Sequence, residues 1–192
     1  MRALLLCFAL LTLAACRTLT PLPTSPWGER RAALQAVEKF QVNGQLAVAT
    51  PSEGFSATVR WQQQGAASDL LLRSPLGMGG AHLNFDGDVL RVTNGQGTEL
   101  EGAPAQAELV RVLGFEPPLT SLRYWLLGTP DPASIATETL DGEQRLAQLQ
   151  QGEWQIDYGE YQQAAGRWLP RRVALRRGEV KVKLQLSQWQ LP

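Results

Sequence analysis

The chain has 192 residues, with 18 basic and 18 acidic side chains, one histidine and two cysteines. A balanced charge argues against a nucleic-acid partner, which would need a basic footprint. So few cysteine and histidine side chains leave little material for a metal centre or a disulfide framework. The length suits one domain with a substantial core and is short for two.

Met1-Arg2 is a short positive start, and Ala3 to Leu13 is a nearly unbroken apolar run. At about eleven residues it is too short for a hydrocarbon core of roughly 30 Å, which needs nearer 20 apolar residues, and no later stretch comes close. Residues 1–15 therefore read as a signal peptide with its h-region. Leu13-Ala14-Ala15-Cys16 resembles the lipobox of bacterial lipoproteins. The two alanines pass a tight peptidase cleft, and the Cys16 thiol can take a diacylglyceryl thioether. The alternative is an ordinary signal peptide with a chance cysteine, but Cys16 stands at the end of the h-region, whereas Cys7 lies inside it and is discarded. Cleavage before Cys16 leaves a single mature cysteine, so disulfides are impossible although an oxidising compartment would permit them. It also removes Arg2, leaving 17 basic against 18 acidic residues, a net charge of −1.

Residues 16–25 hold Pro21 and Pro23 among Thr18, Thr20 and Thr24, a composition that stays extended and reads as a tether. Arg17 follows the cysteine, where Asp commonly signals inner-membrane retention in the lipoprotein families this segment resembles. The outer membrane is the expected address, and residues 26–192 form the expected single domain.

A helix is predicted from Pro26 to about Glu38, with Ser25 able to cap it, Pro26 at the first helical position, and Trp27, Leu34 and Val37 on one face. Period-two strands follow. Phe40, Val42, Leu46 and Val48 alternate with polar or small neighbours, as do Phe55, Ala57, Val59 and Trp61. Further segments fall near 68–74, 81–85, 88–93, 97–101, 135–140, 144–150, 153–158, 171–176 and 179–191, separated by turn signals such as Asp86-Gly87, Asn94-Gly95 and Asp141-Gly142. That makes about eleven strands. In the last, Val180, Val182, Leu184 and Leu186 face away from Lys181, Lys183, Gln185 and Ser187. Pro104 to Gly128 interrupts the series with two short helices, each ended by glycine. The predicted fold is mainly β: an open, strongly curved antiparallel half-barrel whose short helices cover an apolar cavity.

Catalytic patterns are missing. His82 is the only histidine, and with no free mature thiol neither a Cys-His nor a Ser-His-Asp arrangement is easy to assemble. Gly77, Gly79 and Gly80 lack the Lys-Ser/Thr and the strand-to-helix flanks of a phosphate loop. Asp86 and Asp88 flank a turn glycine as hairpin residues do. No enzyme activity, cofactor or metal is expected. Arg171-Arg172 with Arg176-Arg177 reads as a solvated strand end, with a lipid-headgroup patch as the alternative.

Several short motifs together resemble the LolB family: Trp61-Gln62-Gln63, the LLLRSPLG of Leu70 to Gly77, the LTSLRYWLLGTP of Leu119 to Pro130, the WQIDYGEY of Trp154 to Tyr161, and Lys181 to Leu191 with Trp189. With the lipobox and Trp27 they span nearly the whole chain in order. The resemblance implies a lipid-anchored acceptor that takes acylated lipoproteins from the periplasmic carrier LolA and passes them to outer-membrane lipids. A monomer is expected, with no nucleic-acid partner.

Acyl chains cross water only inside an apolar container, at about 0.8 kcal/mol per buried methylene. The candidate walls are Phe40, Val42, Leu46, Val48, Phe55, Val59, Trp61, Leu83, Phe85, Val182, Leu184 and Leu186, covered by Leu122, Trp125 and Leu126. The alternative is that these residues fill the solid core of a structural scaffold lipoprotein. A last segment, Ser74 to Gly80, breaks two strands with proline and glycine yet carries Leu76 and Met78. The family resemblance implies that Pro75, Leu76, Gly77 and Met78 form a protruding loop that enters lipid; the alternative folds Leu76 back on the core.

Overall fold

The computed structural model describes residues 26–75 and 80–192. Cys16, the tether, Leu76, Gly77 and Met78 lie outside the described residues. The period-two segments build one continuous antiparallel sheet. Its strands are β1 (Lys39–Ala49), β2 (Gly54–Gln64), β3 (Ala67–Arg73), β4 (Gly80–Phe85), β5 (Leu90–Asn94), β6 (Glu99–Glu101), β7 (Ala136–Leu140), β8 (Leu146–Gln151) and β9 (Trp154–Tyr158), with β12 (Arg172–Arg177) and β13 (Val180–Gln190) after a separate hairpin of β10 (Tyr161–Ala164) and β11 (Arg167–Pro170). The spatial order is β6-β5-β4-β3-β2-β1-β13-β12-β9-β8-β7, so two meanders meet where the first strand pairs with the last. The eleven strands expected are those of this sheet; the hairpin is an addition.

Register explains why one face is buried. Val42 stands opposite Trp61, Trp61 opposite Leu70, Leu70 opposite Leu83 and Leu83 opposite Val92, so one apolar row crosses five strands. A second apolar row starts at Val48 and crosses the other wing through Val182, Leu175, Ile156 and Leu149. A slip of one residue in any of these strands would turn its apolar set to solvent, which fixes the register. Gly44 sits in the same inward series. A Cβ there would lie 2.5 Å from the Gln185 carbonyl oxygen, so the close approach of β1 and β13 at this point requires glycine. The β1–β13 ladder is also irregular between Gln41 and Asn43.

Three helices complete the architecture: α1 (Trp27–Gln35), α2 (Ala103–Leu113) and α3 (Leu119–Leu126). α1 is shorter than predicted, and Pro26 is its N-cap with extended ψ rather than its first helical residue. α1 is tied to the far edge of the sheet, where Trp27 Nε1 and Arg31 each donate to the Glu138 carboxylate at 2.6 Å. α2 buries Ala105, Leu109 and Leu113 and stops at Gly114, whose left-handed φ of 75° suits the C-terminal glycine predicted there. α3 buries Trp125 and Leu126, and Gly128 follows it with φ 77°. At the Asp141 turn the left-handed residue is Gln144, not the predicted turn glycine Gly142. His82 is on the solvent face, 2.8 Å from Asp69.

Candidate acyl-chain site

The inner face of the sheet and the α2–α3 segment enclose a small space lined only by carbon-rich side chains. Its walls on the sheet are Leu46, Val48, Val59, Trp61, Leu70, Leu72, Leu83, Trp154, Leu175, Val182 and Leu184. Its roof is Leu113 from the end of α2, then Phe115, Pro117 and Pro118 from the linker, then Leu119 and Leu122 from α3. The volume is about 70 Å³. Ligand pockets run to about 300–1,000 Å³, so the space as it stands does not hold an acyl chain.

The sequence reading finds part of this lining. Leu46, Val48, Val59, Trp61, Leu83, Leu122, Val182 and Leu184 border the space. The others lie beyond it. Phe40 packs against Trp189 with ring centroids 5.5 Å apart, Trp125 and Leu126 sit below the roof in the core, and Val42, Leu186, Phe55 and Phe85 join the same core. Period-two alternation marks the face a side chain points to and not its depth along the strand. Leu70, Leu72, Leu175 and Trp154 carried that same signal. The linker residues Phe115, Pro117 and Pro118 have no periodic signature. Pro75 is exposed at the end of β3.

Polar contacts hold α3 at Ser121, Arg123 and Trp125. At its C-terminal end Trp125 is buried, its Nε1 donates to Gln151 Oε1 at 2.7 Å, and its carbonyl oxygen accepts from the Tyr158 hydroxyl at 3.1 Å. Gln151 also accepts from the Asp131 amide and donates to the Asp131 carbonyl, pinning the chain that leaves the helix. Trp154 braces this end, 6.1 Å from Trp125 and 5.7 Å from Phe115 between ring centroids. The β10–β11 hairpin backs it, since a Cβ on Gly128 would meet Pro170 at 3.0 Å. Burial pushes the Tyr158 and Tyr161 phenols well above their ordinary values, so both stay neutral hydrogen-bond donors.

In the last turn of α3, Arg123 makes the helix's only polar tie to the sheet's other wing among the described residues, donating to the Gly65 carbonyl oxygen, and nearer the N-terminal end Ser121 Oγ donates to the Asp131 carboxylate at 2.7 Å. The Arg123 guanidinium also stacks over Tyr124 at 4.4 Å. The Gly65 carbonyl is itself placed by Gln63, whose amide nitrogen donates to it at 2.9 Å. Gln63 is 2% exposed on the inner face, and its amide oxygen accepts from Trp61 Nε1 at 2.9 Å and Ser68 Oγ at 2.7 Å. This satisfied buried cluster fixes the Trp61 indole against the apolar space. Gln63 and Arg123 fall within two of the family-resembling motifs, Trp61-Gln62-Gln63 and Leu119 to Pro130, but nothing in the sequence pairs them.

Comparison with known proteins agrees with this geometry. The profile of the family described as outer membrane lipoprotein LolB matches residues 38–189. The outer-membrane lipoprotein LolB of Pseudomonas putida is 37% identical over 166 residues, covering 85% of this chain and 80% of its own. That of Nitrosococcus oceani is 33% identical over 196 residues, covering 99% and 98%. Among solved structures, a LolA superfamily protein from Nitrosomonas europaea superposes with a TM-score of 0.58 at 12% identity, over 88% of this chain and 94% of its own. A DUF1329 family protein from Desulfovibrio piger does so at 0.54 and 6%, over 86% and 90%. These two likenesses are of fold.

Proposed function

Since the chain belongs to the LolB family of outer-membrane lipoproteins, we propose that it accepts acylated lipoproteins from a LolA-type periplasmic carrier and inserts them into the outer membrane. The observation that carries this reading is the wholly apolar space beneath a roof that few polar contacts tie to the sheet. Loading lifts α3 and the linker before it, with the Trp125–Gln151–Tyr158 cluster as the fixed end.

Magnitudes favour this. Breaking the Arg123–Gly65 hydrogen bond, whose donor is charged, costs roughly 1.5–3 kcal/mol net, and each methylene taken from water returns about 0.8 kcal/mol. About two to four methylenes offset the latch, and the rest of a chain drives the opening. The sequence carries no nucleotide-binding motif, so transfer runs downhill through differences in affinity among carrier, acceptor and bilayer.

Residues 1–15 leave as a signal peptide, Cys16 carries the lipid, and residues 16–25 tether the 26–192 domain at high effective concentration beside its target membrane. The loop of Pro75, Leu76, Gly77 and Met78 enters lipid. One leucine buried there contributes roughly 1.5–3 kcal/mol, too little to anchor the protein but enough to hold the cavity mouth at the bilayer. The protein acts as a monomer and performs no bond-making step.

Incubating the chain with a carrier–lipoprotein complex and then with liposomes tests the reading. Cargo should co-purify with this chain and then appear in the liposomes. A chain that takes no cargo would be a scaffold.

A further inference from the structure

The opposite face of the sheet holds a feature that cargo binding does not use. Exposed Gln45, Ala47, Ser56, Thr58, Lys183 and Gln185 are the outward alternates of β1, β2 and β13, and they line a shallow groove of about 770 Å³. Arg172 borders it too, and Pro75, the root of the β3–β4 loop, closes one end. A second groove of about 470 Å³ shares Gln45, Thr58 and Gln185 with the first and adds Arg60, Arg73 and Arg171. The two form one trough across the middle of the outer face.

The charge of this trough departs sharply from that of the chain. The sequence is balanced at 18 basic and 18 acidic residues, yet Arg60, Arg73, Arg171, Arg172 and Lys183 line the trough against a single carboxylate, Asp157. Asp157 is already engaged by Arg176. Arg171 and Arg172 share one outside partner, Glu160, at 3.8 and 3.1 Å. Lys183 and Arg73 have no ion pair among the described residues. The floor is small or neutral, with Ala47, Ala174, Ser56 and Thr58, so nothing bulky keeps an anionic group from reaching the cations. Arg171-Arg172, half of the run that reads in sequence as a solvated strand end, is gathered by the sheet with Lys183 of the next strand and with Arg60 and Arg73, which are distant in the chain.

We propose that this trough is a docking surface for the anionic phospholipid headgroups of the membrane that carries the protein. The proposal rests on the reading above in that Cys16 anchors the chain and the loop after Pro75 enters lipid. A tether of about ten residues spans at most roughly 35 Å, so the domain stays beside a bilayer, and the cation excess complements its phosphates. Pro75 lines the trough, so a loop entering lipid from that point brings the cations to headgroup depth.

The test uses the full mature chain with Cys16→Ala, so that the acyl anchor does not mask weaker binding, and co-flotation with vesicles of phosphatidylcholine alone or with roughly a quarter phosphatidylglycerol. Each basic residue at an anionic surface contributes about fivefold in partitioning. The triple variant Arg60→Gln, Arg73→Gln, Lys183→Gln should lose up to roughly a hundredfold of its preference for the anionic vesicles. A control triple with the same charge change elsewhere, Lys39→Gln, Arg111→Gln, Arg167→Gln, should keep most of it. Equal behaviour of the two triples, or no anionic preference in the parent, overturns the proposal. So does a trough-dependent affinity for an oligoglutamate peptide without vesicle binding, which would assign the surface to an acidic protein. Cargo acceptance, measured on the same proteins, should be unchanged by either triple. Failure of the parent to accept cargo would sink the transport reading and leave the vesicle result standing.

Discussion

Arg123, on the helix that roofs the apolar space, donates from its guanidinium to the carbonyl oxygen of Gly65, in the turn that joins β2 to β3. The two are 58 residues apart in sequence, and the bond ties α3 to the wing of the sheet that it must leave for the space to widen. An Arg123→Leu protein should lose roughly 1.5–3 kcal/mol of stability and take up a fluorescent fatty acid faster than the parent. Stopped-flow binding beside thermal unfolding checks this. Unchanged uptake would mean that the roof opens elsewhere.

Filling the space should separate binding from folding. Val182 borders it on β13, and Val182→Phe places the ring where an unloaded roof leaves room. Overpacking a solid core costs roughly 1–3 kcal/mol. Here the expected change in stability is under about 1 kcal/mol, with acyl binding abolished. Marked destabilisation with normal acyl binding would contradict the container and favour a scaffold.

Acceptance and insertion should be separable steps. With Cys16→Ala, exported behind a cleavable non-lipoprotein signal, the chain should stay folded and still accept cargo. Leu76→Glu should accept cargo and fail to deliver it to liposomes. If Leu76 were a core residue, an unpaired buried charge would damage the whole fold, and thermal unfolding would show it.

The β7–β8 turn provides a pH dependence. Partial burial of the Asp141 carboxyl opposes its ionisation, but hydrogen bonds from the Arg145 amide and guanidinium and the Glu143 amide outweigh this and hold the group below its usual range. A depressed folded-state value gives stability that is present above the ordinary carboxylate pKa of about 3.9 and is lost as pH falls through the folded value. Asp141→Asn should therefore lower Tm at pH 7 and flatten its decline in acid. An acid limb identical to the parent's would assign that decline to other carboxylates.

The eleven strands were legible because one face is buried and the other is wet, so residues such as Val180, Val182 and Leu184 alternate with Lys181, Lys183 and Gln185. The β10–β11 hairpin was not. Tyr161 and Gln162 are both half-buried, so no alternation appears, and the turn puts Ala165 and Gly166 at φ 47° and 70°, with alanine where glycine or asparagine would have signalled it. The acyl site was half legible for a related reason. Alternation gives Val59 and Leu83 their face, but Phe115, Pro117 and Pro118 reach the roof from an irregular linker, and the Gln63–Gly65–Arg123 contacts exist only after folding. The trough needed the sheet order as well, because Arg60, Arg171 and Lys183 become neighbours only when β1 pairs with β13.

The most direct measurement of the central claim is site-specific photo-cross-linking during transfer from a carrier–lipoprotein complex. A photoreactive side chain replaces Leu122 on the roof, Leu72 on the wall or Thr58 on the outer face, in separate proteins with matched stability. Cargo acyl chains should cross-link at positions 122 and 72 and not at 58. Equal labelling at all three, or labelling at position 58 alone, would contradict a container between the inner face of the sheet and α3.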